Sequence, residues 1–246
     1  MTVTRRRSSA NPRQMRSAQK SRRFSRHLLR HPMNVILASS AILTAIVPSA
    51  TWADGLSFGG NLAVTSNYIS DGLSESDSRP ALQPFLEISK NGIYANAWAS
   101  NIKDEDGNTA ALDLGTGYRG DLSSGLSYDL GYTQHLFNKT HGYSAEIDGS
   151  MEYAVNEQLT LSGELSYDLA VHRLGESFGA AYDLGNSWTL NGGISKIDPL
   201  APLVAEVGVG YALNDNLNLD LQYQDSASTT GVAALTVNYA FGKVGD

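Results

Sequence analysis

The chain has 246 residues, no cysteine, 41% hydrophobic residues and a formal charge of −7. The missing cysteines exclude disulfides, thiolate metal sites and a lipid-modified N-terminal cysteine. All 25 acids lie from Asp54 onward against 8 bases, so residues 54–246 carry a net −17, which repels phosphate and excludes nucleic acid as a partner.

The N-terminal region is a different polymer. Ten of the 18 Lys and Arg residues precede Met33, and an uncharged apolar run follows from Val35 to Val47. That run, about 13 residues, is too short for a membrane-spanning helix. With Pro48-Ser49-Ala50-Thr51-Trp52-Ala53 after it, the pattern predicts a cleavable secretory signal peptide ending near Ala53. The basic stretch is long enough that Met1, Met15 and Met33 all stand as possible starts. The organisation expected is 1–53 as basic extension and signal peptide and 54–246 as one exported domain.

From Leu56 onward the residues alternate between apolar and polar. Twelve strand-like stretches are expected: Leu56–Ile69, Ala81–Lys90, Ile93–Ile102, Thr109–Tyr118, Ser124–Phe137, Tyr143–Ala154, Leu159–Leu169, Phe178–Leu184, Trp188–Lys196, Leu203–Leu213, Leu217–Asp225 and Val232–Phe241. The alternation is cleanest in the pair Tyr143–Ala154 and Leu159–Leu169. There Ala145, Ile147, Met151, Leu161 and Leu165 take one parity and Glu146, Asp148, Glu152, Glu164 and Asp168 the other. Successive side chains of a strand point to opposite faces, so each stretch has one apolar and one hydrophilic surface. The second strand is interrupted by Pro84, and the Ala-rich third has ambiguous parity.

The connections alternate too. Tight turns such as Asn91-Gly92, Gly185-Asn186-Ser187 and Asn214-Asp215-Asn216 follow even-numbered strands. Longer polar segments, among them Ser70–Pro80 and Ala170–Ser177, follow odd ones. This is the rhythm of an antiparallel up-and-down meander, which an even strand count closes into a barrel.

Alternation alone leaves open whether the apolar face meets a soluble core or lipid. Rows of charge on the polar parity favour lipid, as do aromatics on the apolar parity near strand ends and a final strand closing on Tyr239 and Phe241. The aromatic girdle expected is Tyr68, Tyr118, Tyr143, Tyr153, Tyr167, Trp188, Tyr211, Tyr223, Tyr239 and Phe241. The fold class is thus all-β, a transmembrane barrel of about 12 strands.

Three stretches resemble a known family. Ser66-Asn67-Tyr68-Ile69-Ser70-Asp71-Gly72-Leu73-Ser74 with Pro80-Ala81-Leu82-Gln83 is the first. Gly92-Ile93-Tyr94-Ala95-Asn96-Ala97-Trp98-Ala99-Ser100-Asn101 is the second, and Gly117-Tyr118-Arg119-Gly120-Asp121 with Gly125–Tyr132 the third. They are similar to the Gcw_chp, or TorF-type, porins of proteobacteria. Asp71-Gly72 departs from the Arg-Gly expected there. The resemblance implies an outer-membrane barrel and carries over no catalytic residue.

The inward parity then holds Asp113, Asp129, Glu146, Asp148, Glu152, Glu164, Asp168, Asp183, Glu206 and Asp220, with Arg119 the one base. Acids without matching bases need water or mobile cations, because dry burial of unpaired charge is costly. The expectation is a narrow, wet, cation-preferring channel for small solutes or cations in the bacterial outer membrane. Its partners would be outer-membrane lipid and, during insertion, the barrel-assembly machinery. Glycines on the inward parity, including Gly115, Gly117, Gly131, Gly193 and Gly208, leave room inside or let strands bend. A non-conducting barrel that stabilises the outer membrane, or whose loops bind a partner, is the alternative. His135, His141 and His172 fall near predicted outer loops at no spacing that compels catalysis or metal binding, so no enzyme activity, metal or cofactor is expected. No loop reads as long enough to fold inward, which favours a monomer.

Overall fold

A computed structural model describes residues 55–104, 106–140 and 143–244. The predicted signal peptide, the cleavage point near Ala53, the candidate starts and His141 lie outside the described residues. So does the side chain of Tyr143.

Twelve strands close into one antiparallel barrel. In chain order they are β1 (Ser57–Thr65), β4 (Ala81–Lys90), β5 (Ile93–Asn101), β6 (Ala110–Ser123), β7 (Leu126–Phe137), β8 (Tyr143–Ala154), β9 (Leu159–Asp168), β10 (Arg173–Gly185), β11 (Trp188–Lys196), β12 (Val204–Asn214), β13 (Leu217–Ser226) and β14 (Thr229–Gly242). Each pairs with its sequence neighbour, and β1 pairs with β14 from Gly59↔Gly242 to Thr65↔Thr236, closing the ring. Closure leaves no unpaired edge, the condition a sheet must meet to cross hydrocarbon. A separate two-stranded hairpin, β2 (Ile69–Ser70) and β3 (Leu73–Ser74), lies within the connection from β1 to β4.

The packing is inside out relative to a soluble domain. Among the described residues seven hydrophobic side chains are buried, four of them alanines, against eighteen polar or charged ones. Leu86, Leu114, Leu130, Ile147, Met151, Leu165, Phe178, Leu190, Val207, Leu221 and Leu235 are all exposed on the outer surface. A contiguous apolar belt of this kind suits hydrocarbon rather than water.

Asn91 and Gly92 both take positive φ, 51° and 80°, the geometry of the two-residue turn whose twist matches a hairpin. Pro84 is tolerated because the β4–β5 ladder begins one residue later, at Phe85↔Trp98.

Four boundaries differ by three residues or more from those read in the sequence. The first barrel strand stops at Thr65 instead of Ile69, because Asn67 turns the chain inward and accepts hydrogen bonds from Ser74 and Ser76 of its own loop. β6 runs on to Ser123, past Tyr118, so its connection to β7 becomes a tight turn. β10 starts at Arg173 rather than Phe178, and β14 starts at Thr229 rather than Val232. The expected loop Ala170–Ser177 is therefore mostly strand, paired to β9 from Arg173↔Asp168 onward.

Candidate functional site: the barrel interior

The inward residues of each strand follow from parity, and their neighbours from register. On β4, β5, β6 and β7 they form a charged network at the short-turn end. Arg119 opposes Asp129 directly across β6 and β7. Its guanidinium reaches Glu87 on β4, lies 3.7 Å from Asp129 by Nε, and sits 4.1 Å above the ring of Tyr94 on β5. The Tyr94 hydroxyl donates to Asp129 Oδ1 at 2.7 Å. Glu87, only 3% exposed, is thus buried with a cation, the arrangement that makes a buried carboxylate tolerable.

A second network stands near the long-loop end. His135 on β7 lies between Asp113 on β6, 2.8 Å from Nδ1, and Glu146 on β8, 3.5 Å from Nε2. All three are buried. On the far wall, Glu206 on β12 accepts from Gln222 Nε2 at 2.8 Å and Gln224 Nε2 at 3.2 Å. Asp220 on β13 accepts from Asn218 and Asn238 at 2.6 and 2.9 Å.

Between these networks lies a third group without partners. Asp148 and Glu152 on β8 and Glu164 on β9 face the interior, and no hydrogen bond or ion pair holds any of them among the described residues. Glu164 sits opposite Ser150, so Asp148 and Glu152 are its two diagonal neighbours at about 7–8 Å between backbones.

The inward glycines accommodate the side chains of adjacent strands. A Cβ on Gly117 would collide with the Tyr94 hydroxyl and the carbonyl of Leu130, and one on Gly115 would meet the Asn96 amide. Gly208 makes the same room for Asn191, and Gly131 for Asp148. These positions let long polar side chains lie flat along the wall.

The connection 66–80 also enters the interior, although no loop was expected to. Asn67 Oδ1 accepts from Ser74 and Ser76, and Gly72 N–H donates to Gln224 Oε1 on β13 at 2.9 Å. Around it the mouth is braced. Asn108, almost fully buried, accepts from the backbone of Lys139 and Thr140, tying two outer loops together.

Several expected site residues change place. Tyr68 is not on the outer girdle; it packs edge-on against Trp98 at 5.6 Å inside the barrel, because the chain has already left β1. Asp168 does not line the interior freely: its carboxylate accepts from the backbone of Ala170 and Val171 and caps the β9–β10 turn. Asp183 is exposed and accepts from Gly185 N–H at the opposite rim. Asp113, Asp129 and Glu146 lie inside but are not unmatched, since His135 and Arg119 stand among them. Asp148, Glu152, Glu164, Glu206 and Asp220 lie on the inward parity of their strands.

Of the other aromatics, Tyr118, Tyr153, Tyr167, Trp188, Tyr223 and Tyr239 are exposed outside, and Tyr211 and Phe241 are half-exposed. Trp188 and Tyr211 stack at 4.6 Å, and Tyr118 with Tyr128 and Phe58 with Phe241 form looser pairs. Most of these rings lie at the short-turn rim; Tyr167 and Tyr223 are at the other. Glu87, Tyr94 and Trp98 were not singled out in the sequence. Their shared inward parity was the available signal, obscured by Pro84 and by the small alanines on the outer face of β5.

The chain belongs to the Gcw_chp family, described as a bacterial protein of unknown function, whose profile matches residues 49–241. The comparison with curated proteins finds no match. Among solved structures, the fold is similar to the KdgM porin in complex with disordered oligogalacturonate. That match has 8% identity and a TM-score of 0.57, covering 76% of this chain and 99% of that one. The NanC porin matches at 10% identity and a TM-score of 0.50, covering 76% of this chain and all of the other. At such identities the likeness concerns the fold.

Proposed function

We propose that this member of the Gcw_chp family is an outer-membrane barrel forming a narrow passive channel with an acidic, cation-preferring interior. The observation that carries the proposal is the group Asp148, Glu152 and Glu164, facing inward without a partner among the described residues. Carboxylates in that state require water or mobile cations. A row of them raises the local concentration of cations and lowers that of anions. Twelve strands enclose less than the 16 or more of an open aqueous porin, so the path is narrow.

The exposed apolar belt supports a bilayer environment, and the aromatic rims support anchoring at its interfaces. Outer-membrane lipid and the barrel-assembly machinery are then its partners, and small solutes or cations its cargo. Oligogalacturonate is a polyanion that this interior would repel, so the proposal takes the fold of that neighbour and not its ligand.

A second reading is favoured by the inward course of residues 66–80: a barrel that does not conduct and uses its loops for binding or its body for envelope stability. Planar-bilayer recording of the purified barrel separates the two. The channel reading expects discrete conductance steps, and silence across many insertions would sink it.

A further inference from the structure

The carboxylates of β8 and β9 form a file along one wall of the barrel. Glu146, Asp148 and Glu152 are inward residues of β8, and Glu164 of β9 stands opposite Ser150, between Asp148 and Glu152. Successive inward residues of a strand are about 7 Å apart and diagonal neighbours about 7–8 Å, so each acid is one such step from the next. The inward positions among them are small: Ser150 on β8, Ser162 on β9, and Gly131 on β7 opposite Asp148. Asp148, Glu152 and Glu164 keep part of their surface open to the lumen.

Two buried groups flank this file with polar atoms left over. Ser177 on β10, 2% exposed, lies in register with Glu164, and its hydroxyl has no hydrogen-bond partner among the described residues. Glu146, 5% exposed, turns Oε2 toward His135 and leaves Oε1 without one. Buried polar atoms are nearly always satisfied, so two such atoms beside one row of acids point to a ligand that supplies donors. The arginines of the interior do not supply them. Arg119 is taken by Glu87 and Asp129, and Arg173 lies 3.5 Å from Asp198.

The spacing selects the kind of donor. A metal ion binds oxygens at about 2.0–2.6 Å, and among the described residues no three acids or histidines gather closely enough to hold one. An ammonium group carries three donors and no acceptor. Several of them on a flexible aliphatic chain match acids that recur step by step along a wall.

We propose that the file of Glu146, Asp148, Glu164 and Glu152 is a binding track for linear aliphatic polyamines, which makes them the preferred cargo of the pore. Passage rests on the channel reading above; binding does not. Once one ammonium is held, the next meets the adjacent carboxylate at high effective concentration, so affinity grows with each added amine. A compact dication of the same charge cannot span two steps and gives up its water reluctantly. The Ser177 hydroxyl accepts from the ammonium seated at Glu164.

The test is titration calorimetry on the protein purified from outer membranes in uncharged detergent, with spermidine, putrescine, butylamine and Mg²⁺ as probes. Putrescine should bind at least about tenfold more tightly than butylamine or Mg²⁺, and spermidine more tightly again. Glu164→Gln should weaken spermidine about tenfold, and Ser177→Ala, which removes no charge, severalfold. Glu157→Gln, on the exposed turn from β8 to β9, removes the same charge as Glu164→Gln and should change nothing. Putrescine binding no better than Mg²⁺, or spermidine binding unaltered in either Glu164→Gln or Ser177→Ala, would overturn the track. In planar bilayers spermidine should interrupt the potassium current in brief blocks, which Glu164→Gln shortens. Spermidine bound by silent barrels keeps the track and removes the channel. Conducting barrels that ignore spermidine in both assays keep the channel and remove the track.

Discussion

Two arcs of the same interior use acids in opposite ways. Across β4 to β8, Glu87, Asp129, Asp113 and Glu146 are held by Arg119, Tyr94 and His135, and the two most buried of these acids, Glu87 and Glu146, each face one of the two bases. Across β8 and β9, Asp148, Glu152 and Glu164 stand in a row with no partner among the described residues. Fixed partners brace a wall and offset part of its charge, whereas unpartnered carboxylates leave all of theirs to whatever passes. The contrast separates residues expected to govern stability from residues expected to govern permeation, which composition alone would merge.

The largest effect should come from breaking the paired arc. Arg119→Leu leaves Glu87 buried without its cation and should destabilise the barrel by about 2–3 kcal/mol. The figure falls below that of a fully enclosed pair because the Arg119 side chain is 24% exposed. Guanidinium unfolding followed by heat-modifiable gel mobility measures it. A smaller loss is expected from Gly117→Ala. The new methyl meets both a movable tyrosine hydroxyl and an unmovable backbone carbonyl, so about 1–3 kcal/mol should be lost and Tyr94 displaced from Asp129. Smallest of all should be the combined Asp148→Asn, Glu152→Gln and Glu164→Gln. Removing unpartnered charge breaks no pair, so stability should shift by no more than about 0.5 kcal/mol, or rise as mutual repulsion is relieved. A loss comparable to that of Arg119→Leu would erase the distinction between the arcs.

Much of the barrel was legible because a closed sheet with one face in hydrocarbon imposes a strict period of two. Leu217, Leu219 and Leu221 against Asn218, Asp220 and Gln222 could hardly be read otherwise. The strand ends were less legible. Arg173 and Glu176 resemble loop residues, yet Arg173 faces inward and meets Asp198, while Glu176 sits outward at the rim of a strand that outlasts its apolar stretch. Neighbours were the least legible part. Parity says that Asp129 points inward; only register says that it meets Arg119, and only the reach of a guanidinium brings Glu87 into the same network. Tyr68 misled for a related reason, since an aromatic just beyond an amphipathic strand looks alike whether the chain continues along the wall or turns through it.

The contrast between the arcs comes down to a reversal potential. With a salt gradient across a planar bilayer, the parent barrel should reverse at a potential of cation-selective sign. The variant lacking Asp148, Glu152 and Glu164 charge should move most of the way to zero at similar conductance. An anion-selective parent, or a variant whose reversal potential does not move, would contradict the claim that these three carboxylates set what passes through the barrel.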